Sequence, residues 1–186
     1  MLKNSGPATG KAIAFFAGLY AFLVAAILPR AEQRLKAASG GTGPIDLRFT
    51  YTPDEAYSMV ETYGEEGRRF YAMLEVTMDV VYPFTYASLF SLLIAAGFRR
   101  GLRPDHPLQR AHRVPYAVML VDFAENVGIV TMLLRYPTRH PRVARLTALF
   151  TLAKWLGFGV TVLLTLTSLG LTAARLLTSR TATSRS

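Results

Sequence analysis

The stretch FYAMLEVTMDVVYPFTYASLFSLLIAAGF, Phe70 to Phe98, decides how the rest of the chain is read. It is a long apolar run bracketed by Arg68-Arg69 and Arg99-Arg100, yet it carries two acids, Glu75 and Asp79. A bilayer helix needs about 17 to 25 apolar residues, and basic residues gather at its ends. An acid at the centre of such a helix costs about 2.5 to 3.5 kcal/mol on insertion scales, so it faces protein or water and not lipid. One helix of this kind implies others that bury it.

Three more runs answer. Ala12 to Leu28, Pro115 to Leu134 and Leu146 to Leu171 are apolar and end at Lys11, Arg30, Arg113, Arg135, Arg145 and Arg175. Composition agrees: of 186 residues, 51% are hydrophobic and only 18% charged, against about a quarter charged in a soluble domain. With no cysteine, neither a disulfide framework nor a thiolate metal site can form. The expected fold is all-α: an integral membrane four-helix bundle with spans at 12–28, 70–98, 115–134 and 146–171. Residues 1–177 make one domain, and 178–186 a mobile polar tail. A signal peptide competes for the first run. It ranks second, because no small-residue cleavage pattern follows and the charged second span needs a bundle around it.

The net charge of +9 comes from Lys and Arg placed between the apolar runs. That placement implies anionic lipid headgroups as partners and argues against nucleic acid. With Lys154 set aside, the other 20 of the 21 Lys and Arg divide ten to each side of a four-span layout. The long first loop carries seven acids, which favours translocation of that loop. The expectation is a multi-pass protein of the cell's plasma membrane with both termini cytoplasmic.

Within the first loop, AASGGTGP (Ala37 to Pro44) reads as a flexible stretch. Thr52-Pro53-Asp54-Glu55 then signals a helix start, with a capping box and proline at the first helical position. Ala56, Tyr57, Val60 and Tyr63 share one side, opposite Asp54 and Glu61. This spacing predicts a short interfacial amphipathic helix ending at Gly64.

Function is concentrated in five ionisable residues inside the runs: Glu75, Asp79, Asp122, Glu125 and Lys154. Glu75 and Asp79 are i, i+4, with Tyr71, Tyr82 and Tyr86 extending their face. Asp122, Glu125 and Asn126 form a second polar face. In the last run Thr147, Thr151, Lys154, Phe158, Thr161, Thr165, Ser168 and Thr172 follow at alternating steps of four and three. That stripe of hydroxyls around one amine marks an inward side. At about 1.5 Å rise per residue, Asp79, Lys154 and Glu125 all fall roughly 12 to 14 Å deep.

Four carboxylates and one ammonium sum to minus three, which a low-dielectric interior does not hold. Acids carrying protons, a bound cation, or a water-filled cavity would each relieve it. Lys154 is expected to pair with Asp79 or Glu125. Pro83 removes a backbone donor and leaves the Asp79 carbonyl free in the same region. Small residues at steps of four, Ala87, Ser91 and Ala95 and likewise Ala17, Ala21 and Ala25, read as close helix contacts.

The ligand-binding set is therefore Asp79, Glu125 and Lys154 at the centre, with Glu75, Asp122, Asn126, Tyr82 and Tyr86 around them. No cofactor and no metal is implied. The three histidines, His106, His112 and His140, all lie in loops, and an all-oxygen site would compete with Lys154 for the same carboxylates. The leading expectation is a polar pocket that takes an amphipathic or cationic small molecule or lipid, or passes protons or cations. The alternatives are a membrane enzyme using a carboxyl acid and base on a lipophilic substrate, or a structural or assembly subunit, including a homo-oligomer.

Tyr51-Thr52-Pro53-Asp54-Glu55-Ala56, Gly67-Arg68-Arg69, Glu75-Val76-Thr77-Met78-Asp79 with Tyr82-Pro83 and Tyr86, and Asp122-Phe123-Ala124-Glu125-Asn126 resemble the pattern of small bacterial four-helix integral membrane proteins. The resemblance covers residues from about 50 to 137 and implies no activity. In layout alone the chain is similar to the emopamil-binding and sigma-2 receptor group of sterol-handling proteins, with no shared motif.

Overall fold

A computed structural model describes the backbone of residues 7–183 and the side chains of residues 9–177. Among these residues every regular element is helical. Helix α1 (Pro7–Phe22) continues through one π turn (Leu23–Ile27) into α2 (Leu28–Ala38). After it come α3 (Pro53–Thr62), α4 (Gly64–Gly101), α5 (Val114–Arg135) and α6 (Pro141–Thr183), with 3-10 turns at Ile45–Leu47 and Pro107–Arg113. Four stretches are long and apolar enough to cross a membrane: Thr9–Ala38, Gly64–Gly101, Pro107–Arg135 and Pro141–Leu177.

Each helix outruns its apolar segment. In α4, Glu65 and Glu66 occupy the first turn and Arg99 and Arg100 the last, charges that complement the helix dipole and let the charged flanks stay helical. The last helix likewise runs on to Thr183, so the polar tail expected from 178 begins as helix. Residues 184–186 lie outside the described part.

The expected capping box forms. Thr52 Oγ1 accepts from the Glu55 N–H at 3.2 Å, and Glu55 Oε2 accepts from the Thr52 N–H at 2.7 Å. The Thr52 hydroxyl also donates to Glu55 Oε2, at 2.9 Å, and the Thr52 N–H and hydroxyl together hold the Glu55 carboxyl below its usual range. Ala56, Tyr57, Val60 and Tyr63 are buried while Asp54 and Glu61 are exposed. Gly64 takes φ +62°, a conformation that favours glycine, and turns the chain from α3 directly into α4.

Helix α3 docks on the far connection. The His140 N–H donates to Tyr57 Oη at 2.6 Å, and the Arg139 guanidinium lies 3.6 Å from Glu61 and over the Tyr57 ring. The first loop and the α5–α6 connection therefore share one end of the helices, and residues 102–113 occupy the other. The Gly/Ser stretch expected to be flexible is pinned. Ser39 Oγ donates to the Leu35 and Thr42 carbonyls at 2.8 and 2.7 Å, and Tyr63 Oη donates to the Gly43 carbonyl at 2.8 Å. Tyrosines distant in sequence supply what the local composition lacks.

Helices α4, α5 and α6 pack against one another, and α1 rests chiefly on α4. The α4–α5–α6 contacts are close because glycines leave room for side chains opposite. A Cβ at Gly97 would stand 2.6 Å from the Ser168 carbonyl, one at Gly157 2.7 Å from Val118, and one at Gly128 would strike the Thr147 hydroxyl. The hydroxyl stripe faces inward as its spacing predicts, with Thr147, Thr151, Thr161, Thr165 and Ser168 buried. Thr147, Thr161 and Thr165 donate to carbonyls four residues back on their own helix, at 2.8 to 3.0 Å. They pack as small, self-satisfied residues.

Ala87 and Ser91 are buried in contact as expected, but Ala17, Ala21 and Ala25 are exposed. In α1 the aromatic side decides the contact instead. Phe16 meets Phe84 edge to face at 6.2 Å, and Tyr20 stacks on Tyr82 at 5.9 Å.

Two outcomes test this packing. Gly128→Ala should lower stability by about 1 to 3 kcal/mol, and Thr147→Ala in the same chain should restore much of it, since only Thr147 side-chain atoms stand in the way. Gly97→Ala should resist rescue by Ser168→Gly, because a backbone carbonyl blocks it; thermal unfolding of the four variants decides. For α3, Thr52→Ala should cost about 1 kcal/mol. Because the Glu55 carboxyl is depressed when folded, its contribution is present above the ordinary carboxylate range and fades as pH falls through that range. Hydrogen exchange of residues 53–62 at descending pH should show α3 loosening in the native chain and no such pH step in Glu55→Gln.

Candidate functional site

Lys154 on α6 organises the interior. Its ammonium lies 2.6 Å from Glu125 Oε2 and 3.8 Å from Asp122 Oδ1. The i, i+3 spacing puts both acids on the side of α5 that meets α6. Glu125 is fully buried and the Lys154 side chain is 12% exposed. Behind the pair, Thr151 Oγ1 donates to Glu125 Oε1 at 2.6 Å and shares a hydrogen bond with Tyr51 Oη at 3.2 Å. Burial holds the Tyr51 phenol above its ordinary pKa against the opposing Thr151 hydrogen bond, so it stays an O–H. In front, Tyr86 Oη donates to Asp122 Oδ2 at 3.1 Å. A polar line thus runs from Tyr51 through Thr151, Glu125, Lys154 and Asp122 to Tyr86, tying the first loop to α6, α5 and α4.

Of the two alternatives expected for Lys154, Glu125 is the partner and Asp79 is not, and Asp122 is a second carboxylate beside the ammonium. The reason lies in Pro83. It cannot bond the Asp79 carbonyl, and Asn126 Nδ2 donates to that carbonyl instead at 2.8 Å. The amide locks α4 to α5 at this level and leaves the Asp79 side chain facing a cavity of about 430 Å³.

That cavity lies between α1–α2, the first loop and the faces of α4, α5 and α6. Five of the eight expected site residues line it: Asp79, Tyr82, Tyr86, Asp122 and Lys154. Glu125 and Asn126 stand behind and hold the wall. Glu75 does not line the cavity; it is 1% exposed, and neither of its carboxyl oxygens has a hydrogen-bond partner among the described residues. Among those residues no hydrogen bond or ion pair reaches the Asp79 carboxylate either. Apart from Glu32 and Asp46, the remaining walls are aromatic and apolar, with Tyr20, Trp155, Phe158, Val24, Leu28 and Leu74 prominent.

Sequence reasoning missed one element, a strap at Ile45–Leu47 that descends onto the cavity. The Asp46 carbonyl accepts from Trp155 Nε1 at 3.1 Å and from Lys154 Nζ at 3.4 Å. Tyr71 Oη accepts from the N–H groups of Ile45 and Asp46 at 3.0 and 3.4 Å and donates to the Asp46 carboxylate. The available signal was an isoleucine after Gly-Pro in an otherwise polar loop, and Ile45 is fully buried.

Chemically, the arrangement is a carboxyl-rich, aromatic-walled chamber whose one ammonium is already claimed by carboxylates on α5. It suits a cation better than an anion. Comparison with family models, with curated proteins and with solved structures finds no match.

Removing one member of the buried pair should expose its worth. Lys154→Met should destabilise the protein by about 3 to 5 kcal/mol, because Glu125 is left uncompensated. Adding Glu125→Leu should recover a large part of that loss. Thermal unfolding in detergent micelles measures both, and an unchanged melting temperature in Lys154→Met would refute the central role of the pair.

Proposed function

We propose that the chain crosses a membrane four times as a helical bundle, α3 lying across one mouth in the headgroup region, and that its cavity binds an amphipathic small molecule with a cationic head. The single observation that carries this reading is the Asp79 carboxylate, which lines the cavity with no protein partner among the described residues. Tyr20, Tyr82, Tyr86, Trp155 and Phe158 stand around it, and aromatic faces attract a cation by about 2 kcal/mol or more when water is excluded. Val24, Leu28, Leu35 and Leu74 suit an apolar tail. A bound ammonium would also relieve the excess negative charge that Lys154 offsets only in part.

For placement, four spans return both termini to one side. The seven acids of the first loop support translocation of that loop and cytoplasmic termini in the plasma membrane. The arginines at 99, 100, 103, 110 and 113 suit anionic headgroups there, worth about 1 kcal/mol each near the surface.

The chain has one tryptophan, and it lines the cavity, so its fluorescence reports occupancy. In lipid nanodiscs dodecyltrimethylammonium should change the Trp155 emission saturably. Asp79→Asn should weaken that binding by about tenfold or more, while binding of uncharged dodecanol should not depend on residue 79. Equal affinity of native and Asp79→Asn protein for the ammonium would overturn the assignment.

A further inference from the structure

The cavity has two sides of opposite character. At the first-loop end the Ile45–Leu47 strap lies over it, with Leu47 at the rim and the strap's backbone held by hydrogen bonds. Tyr71 Oη bonds both N–H groups and the carboxylate there, and Trp155 and Lys154 bond the Asp46 carbonyl. Helix α3 covers the same end, with Tyr57 and Val60 buried. The strap is thus fixed by side chains from α4 and α6.

The flank is different. The cavity wall on this side is α1–α2, which rests chiefly on α4 and carries no comparable packing onto α6. Across the gap, Val24, Leu28 and Ala31 stand on one edge and Trp155 and Phe158 on the other, all uncharged; Glu32, which also lines the cavity, is paired with Lys36 at 2.6 Å. Val24 lines the cavity yet is 41% exposed, so it sits at the rim. The helix is also interrupted at this place: the π turn Leu23–Ile27 inserts a residue into the ladder and Pro29 removes a donor just beyond. Such a turn is easier to deform than a regular helix, and π turns are common at functional sites.

We infer that this cavity is filled sideways, from the hydrocarbon phase through the flank between α1–α2 and α6, so that its ligand is an amphiphile already dissolved in the bilayer. The inference rests on the membrane placement and cation-binding reading proposed above. The tail slides between apolar edges while the head travels inward to Asp79, and the strap never has to open.

The chain has no cysteine of its own, which permits a clean test on the full protein in phosphatidylcholine vesicles. Single variants Val24→Cys and Ala31→Cys report the flank, and Leu47→Cys, 52% exposed in the native chain, reports the strap. Each is treated with bilayer-soluble pyrenylmaleimide and with a charged, membrane-impermeant thiosulfonate. The ratio of the two labelling rates should favour the bilayer-soluble reagent by about tenfold more at 24 and 31 than at 47. Equal ratios at the three positions would overturn the route.

A kinetic arm uses dodecyltrimethylammonium as the probe. Val24→Phe, which narrows the flank and keeps Trp155 the single tryptophan, should slow its association about tenfold, whereas Tyr71→Phe, which loosens the strap, should leave association unchanged. Faster association in Tyr71→Phe with no effect of Val24→Phe would place the route through the strap. Labelling needs no bound ligand, so loss of the Asp79 dependence would refute the pocket reading without deciding the route, and the labelling ratios would still decide it.

Discussion

A lysine buried among helices must be matched by carboxylates, and nearly every other feature of this interior follows from where Lys154 finds them. Its ammonium is shared by Glu125 and Asp122 on α5 and by the Asp46 carbonyl of the first loop. One side chain therefore ties α6 to α5 and to a segment more than a hundred residues earlier. Taking charges out of water costs several kcal/mol per ion, and mutual attraction offsets it only when geometry and further hydrogen bonds are good. Thr151 and Tyr86 supply those further bonds.

Pro83 imposes the complementary constraint. A proline inside α4 leaves one carbonyl without its helical donor. Asn126 fills that need with a side-chain amide, and in doing so fixes the register of α4 against α5. The same bond explains why Asp79 and Asp122 part company. Asp122 is drawn to Lys154 and Tyr86, whereas Asp79 is left lining the chamber with no hydrogen-bond or ion-pair partner for its carboxyl among the described residues. A structural role accounts for Glu125, Asn126 and Thr151; it does not account for Asp79.

Much of this was legible in the sequence because it depends on periodicity. The four apolar stretches, the capping box at Thr52 and the inward hydroxyl stripe of α6 all follow from spacing on a helix. So does the gathering of Glu125, Asn126 and Lys154 at the level of Asp79. What escaped depends on rotation and on long-range docking. The choice of Asp122 over Asp79 turns on how α4 is rotated against α5, where Asn126 bonds the Asp79 carbonyl. The exposure of Ala17, Ala21 and Ala25 turns on aromatic packing at Phe16 and Tyr20. The strap left only Ile45 as a local signal, because its partners, Tyr71, Lys154 and Trp155, lie far along the chain.

The first helix is where these constraints run out. Helices α4, α5 and α6 are bound to one another by glycine-level contacts and by the Lys154 knot. Helix α1 has neither: aromatic stacking on α4 is its main attachment, and its regular hydrogen bonding is broken at Leu23–Ile27. Locally weak elements are the ones that move in a protein whose remaining core is tight. A tightly packed, carboxyl-bearing wall faces a more lightly held and largely apolar one; apart from Glu32 on α2 and Asp46 in the first loop, the acids, the amine and the close-packing glycines lie on the last three helices. The same division that concentrates charge on one side of the chamber leaves the opposite side free to yield.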